Sequence, residues 1–185
     1  MILAIDTSSA KSALALIDGD RVVAEIVRPA GRDFDVAAQA ARLAPDARLV
    51  DGVLVGLGPG SFTGLRQGLA FGVGLAMSLG VPLFGIGSLD LAAARASRPA
   101  VAVTEAGRGR VYFQAPDGRR GAAELAMVPR EWQAVGWLRS EGLEMVPEAE
   151  LRGFGEAVVA CREQARAVGY ATVRPEYMSD FGRLD

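Results

Sequence analysis

The sequence contains no histidine and a single cysteine, Cys161, in 185 residues. The first absence removes every mechanism built on a Ser-His or Cys-His pair, and the His-Glu-x-x-His zinc proteases with them. The second removes an internal disulfide and any cysteine-rich zinc site, which fits a reducing compartment. Basic residues are not in surplus: 20 Lys and Arg stand against 22 Asp and Glu, a formal net charge of −2. Tight, direct binding of nucleic acid takes clustered cations to neutralise phosphates, so this chain would need a local patch or a partner. Long apolar runs are missing too. The longest weakly polar stretch, residues 65–79, carries Arg66, Gln67 and several glycines and is too short to span a bilayer. Met1 runs within a few residues into Asp6, which leaves no signal peptide, so a cytoplasmic protein without a membrane anchor is expected.

What is present is a large apolar share, 50% of residues, enough to bury a sizeable core. Residues 2–5 read as a short buried strand. Asp6-Thr7-Ser8-Ser9 reads as a turn, because these side chains hydrogen-bond nearby backbone. Residues 12–17 and 22–27 form a hairpin around Asp18-Gly19, ended by Pro29. Helical spacing of Phe34, Ala37, Ala38 and Ala41 predicts a helix over 33–43, closed by Pro45. A strand over 53–55 leads through Gly58-Pro59-Gly60 into a helix over 61–79. A strand over 82–86 and a helix over 89–95, with Ser88 as its N-cap, follow. Strand, hairpin, helix, strand, helix, strand, helix is an α/β pattern that opens on antiparallel strands. Beyond Pro99 the apolar runs shorten. Residues 101–103 and 111–114 read as paired strands around Arg108-Gly109-Arg110, residues 116–121 as a loop and 156–167 as a helix. The chain therefore divides into a first lobe, 1–98, and a smaller second lobe, 99–185.

Three features carry potential chemistry. The Asp6 turn is either an ordinary turn or a place where a carboxylate holds hydrated magnesium while backbone N–H groups meet phosphate. The segment Gly58-Pro59-Gly60-Ser61-Phe62-Thr63-Gly64 opens a helix, where free N–H groups suit an anion. It is not a Walker A loop, because no lysine follows Gly64. It also misses the dinucleotide fingerprint, with Thr63 in place of the third glycine. Finally, Gly60, Gly64, Gly68 and Gly72 recur every four residues and strip side chains from one face of a helix. Each interior glycine costs roughly 0.5–1 kcal/mol against alanine, so the stripe implies close approach of another backbone. Either this chain's own sheet and helices or a helix of another subunit satisfies that requirement.

The strings Ile2-Leu3-Ala4-Ile5-Asp6-Thr7-Ser8-Ser9 and Gly56-Leu57-Gly58-Pro59-Gly60-Ser61-Phe62-Thr63-Gly64-Leu65-Arg66 together resemble the signatures of the TsaB (YeaZ) family. Gly68-Leu69-Ala70 and the run from Pro82 to Leu89 continue the likeness, and Arg108 to Tyr112 and Arg174 to Tyr177 follow it more loosely. The likeness covers roughly the first 115 residues. Gly31-Arg32-Asp33-Phe34 and Glu105-Ala106-Gly107 depart from the family pattern, and the second lobe is shorter than usual.

The resemblance implies an α/β, two-lobed actin/Hsp70/sugar-kinase-like (ASKHA) fold with a reduced second lobe. It also implies a non-catalytic scaffold for threonylcarbamoylation of the adenosine beside the anticodon in tRNAs reading codons that begin with A. Its partners would be TsaD, the metal-bearing paralogue, and the ATPase TsaE. It would meet tRNA only through the complex and form a homodimer when TsaD is absent. The chain itself would need no metal or cofactor and hold no catalytic residue, with ATP and magnesium allowed at the level of the complex. The expected partner-binding residues are Ser61, Gly64, Leu65, Gly68, Phe71 and Gly72 on one helix and Phe34, Ala37, Ala38 and Ala41 on the other. On that assignment, Gly68→Leu would separate subunits without unfolding the monomer. The alternative is a small-molecule kinase of the same fold, with Asp6, Thr7, Ser8 and Ser9 binding nucleotide and Glu105 the nearest candidate for a base.

Overall fold

The computed structural model describes residues 1–31, 33–176 and 178. Arg32 and Tyr177, both part of the family comparison above, lie outside them. Strand β1 (Ile2–Asp6) is central in a six-stranded sheet. It pairs antiparallel with β2 (Lys11–Asp18), Leu3 opposite Leu16, and parallel with β4 (Gly52–Gly56). Strand β3 (Arg21–Pro29) returns along β2 after Gly19, whose φ of 58° suits the tight turn. Strand β5 (Leu83–Ile86) extends the sheet in parallel beside β4.

Strand alternation divides the buried residues between two faces. Leu3, Ile5, Leu14, Leu16, Val53 and Val55 pack beneath α1 (Val36–Leu43) and α2 (Phe62–Leu79). Ala4, Ala13, Ala15 and Leu54 face α3 (Ser88–Arg95) and α4 (Phe154–Cys161). Small residues on the second face let those short helices sit close. Helix α1 starts at Val36 because the Asp35 carboxylate accepts the Ala38 N–H at 3.0 Å. Helix α2 is capped by Ser61 and ends at Gly80, which adopts a left-handed φ of 67°.

The second sheet has the order β8-β7-β6-β9. It consists of β6 (Val101–Gly107), β7 (Arg110–Gln114), β8 (Arg120–Glu124) and the short β9 (Ala134–Val135). The β6–β7 pair turns at Arg108-Gly109, as predicted, whereas part of the expected loop at 116–121 opens β8. Val101, Val103, Val111 and Phe113 make a core on one face. Ala102 and Val135 on the other face meet Leu89 of α3, while Leu91 of the same helix faces the first sheet. Helix α3 is therefore shared by both lobes.

Three expectations change. The helix over 156–167 is shorter: α4 spans 154–161, a 3-10 turn follows over 162–164, and β10 (Arg166–Ala167) pairs with β5. Phe154, Ala157, Val158 and Cys161 give one apolar face that ends at Cys161, after which Arg162, Glu163 and Gln164 offer nothing to bury. The chain so returns to the first lobe, and residues 99–185 are not one continuous second lobe. Ser88 is the first helical residue rather than the cap; its Oγ accepts the Gly58 N–H at 3.0 Å and its N–H donates to the Gly58 carbonyl at 2.8 Å.

The third change concerns the glycine stripe, which faces inward. A Cβ at Gly64 would lie 2.0 Å from the Thr7 carbonyl oxygen, at Gly68 2.3 Å from Thr7 Oγ1, and at Gly72 2.3 Å from Val55 Cγ1. Gly64, Gly68 and Gly72 thus let α2 settle on this chain's own β1 and β4, and their assignment to a subunit contact is corrected. Leu65, at 2% exposure, and Phe34, at 5%, are core residues for the same reason, and Phe71 is half-buried against the core. Ser61, Ala37, Ala38 and Ala41 remain exposed.

Gly68→Leu is expected to destabilise the isolated chain by about 3 kcal/mol or more, since overpacking here meets a turn held by backbone. Gly74, in open space on the same helix, should gain about 0.5–1 kcal/mol on replacement by alanine. Urea unfolding of the two variants measures both; an unchanged midpoint for Gly68→Leu would place the stripe outside the core.

Candidate functional site

The Asp6-Thr7-Ser8-Ser9 turn lies at the junction of the lobes, under the N-terminus of α2. Burial is deep: Asp6, Thr7 and Ser8 are each less than a tenth exposed. Thr7 Oγ1 donates to the Gly64 carbonyl at 2.6 Å, and the Ser8 N–H donates to Asp6 Oδ1 at 2.8 Å. Ser9 Oγ donates to the Lys11 carbonyl at 2.8 Å. The Ser61 N–H donates to the Ser8 carbonyl at 2.6 Å, and Ser61 Oγ accepts the Gly64 N–H. The Thr7 and Ser9 hydroxyls and the Ser8, Ser61 and Gly64 N–H groups thus have partners within the chain. Among the described residues, no group of three or more His, Cys, Asp or Glu side chains is placed to hold a metal ion.

Beside the turn an open groove of about 820 Å³ separates the lobes, with Ser9, Ser12 and Gln67 on one wall and Glu105, Tyr112 and Arg139 on the other. Glu105 does not reach across as a free base. Its Oε1 accepts the backbone N–H of Arg139 at 2.6 Å and of Ser140 at 3.1 Å. The Arg139 guanidinium in turn donates to the Ala30 carbonyl at 3.1 Å, which ties the second lobe to the end of β3.

A second candidate surface is the outer side of α1 and α2. Two helical residues rotate about 200°, so the positions two along from Gly64, Gly68 and Gly72 point away from the sheet. These are Arg66, Ala70 and Gly74, all exposed. Phe62 and Met77 flank them at 54% and 58% exposure, and the Arg66 guanidinium lies 3.7 Å from the Phe62 ring centroid. Ala37, Ala38 and Ala41 on α1 are exposed as well, so the outer sides of both helices carry small and apolar residues, with Arg66 among them. The sequence pattern singled out the α1 alanines and did not single out Phe62, Arg66, Ala70, Gly74 and Met77. The two-residue offset from the stripe was the signal that could have located them.

Asp6 is a buried carboxyl in the junction whose pKa is raised. Burial pushes its pKa above the ordinary aspartate value, and hydrogen bonds from Ser8 and Ser88 oppose this only in part. In the window between the ordinary and the raised value the unfolded chain binds fewer protons than the folded one, so this group's contribution to stability falls as pH rises through it. Asp6→Asn should therefore raise the melting temperature at neutral pH, with the gain shrinking towards the ordinary aspartate range. Thermal melts across that range check this; a lower melting temperature for the variant at neutral pH would contradict it.

Comparison with known proteins follows the same lines. The family profile described as "TsaD: tRNA N6-adenosine threonylcarbamoyltransferase" matches residues 34–126, about half the chain. The Bacillus subtilis protein named "tRNA threonylcarbamoyladenosine biosynthesis protein TsaB" is 31% identical over 146 residues, 74% of this chain and 64% of that protein. An uncharacterized protein of Mycobacterium leprae is 36% identical over 128 residues, 61% of this chain and 34% of that protein. A Mycobacterium tuberculosis protein is 35% identical over 123 residues, 60% and 57% of the two chains. The matched region thus spans from about a third to just under two thirds of these relatives' length. Among solved structures, YeaZ from Pseudomonas aeruginosa superposes with a TM-score of 0.74 at 20% identity, covering 95% of this chain and 98% of that one, a likeness of fold. With its α/β frame of two sheets, the buried Asp6 turn and the Gly58 to Arg66 segment at the mouth of α2, the chain belongs to the family the TsaD profile describes, and it is similar in sequence to the Bacillus subtilis TsaB protein and in fold to YeaZ.

Proposed function

We propose that this chain is a non-catalytic scaffold in the threonylcarbamoylation of tRNA, and that it pairs with a TsaD protein through the outer faces of α1 and α2. The observation that carries the pairing is the exposed run of small and apolar residues, Ala37, Ala38 and Ala41 beside Ala70, Gly74 and Met77. Small side chains let a partner's helices approach closely, and contiguous apolar surface marks an interaction site. TsaE joins the pair, and ATP and magnesium act at the level of that complex. Without TsaD the same face pairs with a second copy, since an uncovered apolar patch seeks an equivalent surface. A location in the cytoplasm follows from the tRNA substrate. The scaffold reading is supported by the absence of histidine and by the internal bonding of the Asp6 turn and Glu105. The kinase alternative needs those same groups free to meet nucleotide and base.

Ala70→Arg tests the interface, because a surface change in a helix should alter stability by no more than about 0.5 kcal/mol. A charge placed in the centre of an apolar contact is expected to cost about 2 kcal/mol, some thirtyfold in affinity for TsaD. Titration of TsaD against the wild type and the variant measures the loss; equal affinities would remove α2 from the interface. The isolated chain should bind tRNA weakly and with steep salt dependence, tight binding appearing only with TsaD. Gel shifts at physiological salt decide this, and submicromolar binding by the chain alone would overturn the view that tRNA is met through the complex.

A further inference from the structure

A second, smaller cavity of about 20 Å³ lies at the lobe junction, and Asp6 lines it together with Arg95, Thr104 and Trp137. Three buried polar atoms of these residues have no protein partner: Arg95 Nη1, Thr104 Oγ1 and Trp137 Nε1. Arg95 is only 4% exposed and Thr104 only 3%. The guanidinium is not free to swing elsewhere. Its Nε donates to the Arg152 carbonyl at 3.1 Å, Nη2 pairs with Glu148, and its carbon sits 4.5 Å from the centroid of the Trp137 ring. Nη1 is the nitrogen left without a partner. A buried donor without a partner is costly, and three around one space point to a shared ligand.

The size and the donor pattern identify that ligand. About 20 Å³ holds one water-sized molecule. Arg95 Nη1 and Trp137 Nε1 only donate, ionised Asp6 only accepts, and Thr104 Oγ1 does either. A water oxygen accepts two hydrogen bonds and donates two, which matches this set. A halide would satisfy the donors but give the Asp6 oxygens no hydrogen-bond donor. We infer that one internal water bridges Asp6 to Arg95, Thr104 and Trp137 and locks the two lobes together. Asp6 closes β1 of the first sheet, Thr104 sits on β6, Trp137 follows β9, and Arg95 ends the shared helix α3. The bridge therefore crosses the junction beside Leu91 and Val103. Two weaker ties run alongside it: the Ala10 N–H donates to the Trp137 carbonyl at 3.3 Å, and Lys11 covers the other lobe's indole at 5.6 Å. The lobes then move as one body, and this holds whether or not the proposed pairing with TsaD is correct.

The test uses the full chain. A crystal structure at about 1.5 Å should show one ordered oxygen within hydrogen-bonding distance, about 3.2 Å or less, of Arg95 Nη1 and Trp137 Nε1. Thr104→Val keeps the side-chain shape and removes the hydroxyl. It should speed amide exchange about tenfold in the β1–β2 turn and in β6 and β9, while Thr104→Ser stays near wild type. No ordered oxygen at that place, or both nitrogens bonded to protein atoms instead, would overturn the bridge. So would wild-type exchange in Thr104→Val. If that variant does not fold, the wild-type electron density decides alone.

Discussion

Helix α2 rests on the end of β1 so closely that the Thr7 hydroxyl donates to the Gly64 carbonyl at 2.6 Å, inside the first turn of the helix. No residue with a Cβ fits at Gly64 or Gly68 without displacing Thr7. Much else depends on this contact. It holds the Asp6 turn shut, sets one wall of the open groove, and fixes which side of α2 points to solvent. The cost of interior glycines in a helix is offset by the packing they permit against Val53, Val55 and Ile5.

Helix α3 plays the corresponding part between the lobes. One side gives Leu91 to the first core and the other gives Leu89 to the second. Its last turn carries Arg95, a buried cation whose partner Glu148 is largely exposed. A buried arginine held this way is poor value as an isolated ion pair, because desolvation cancels much of the Coulomb attraction. Its placement makes more sense as part of a polar cluster with Asp6, Thr104 and Trp137 that fixes the angle between lobes. Most other ion pairs, such as Arg48 with Asp46, lie on the surface and contribute little.

The Asp6 turn is tied into its own chain by hydrogen bonds, and the outer sides of α1 and α2 expose small and apolar residues. In folds of this type, opening and closing of the cleft is what nucleotide chemistry would exploit. Here the groups that would do so, the Ser8 and Ser9 region and Glu105, are spent on internal contacts.

The sequence by itself determined the parts governed by local rules. Short apolar runs marked β1 and β4, weak alternation marked β2, the segment after Gly58-Pro59-Gly60 read as α2, Asp18-Gly19 placed the hairpin, and the Asp6 and Gly58 to Arg66 strings carried the resemblance and so the fold. Tertiary structure decided the rest. A missing Cβ says that something comes close, and a sheet or a partner helix satisfies it equally. Only the assembled sheet, with Thr7 and Val55 beneath the stripe, settled its direction and with it the exposed residues Ala70, Gly74 and Met77. The end of α4 was decided in the same way, because the free edge of β5 drew Arg166 and Ala167 into a strand that no helical period signals. Asp6, Arg95, Thr104 and Trp137 stand far apart along the chain and share no spacing. They converge only because α3 is buried between two sheets, and such convergence depends on packing that a one-dimensional pattern does not record.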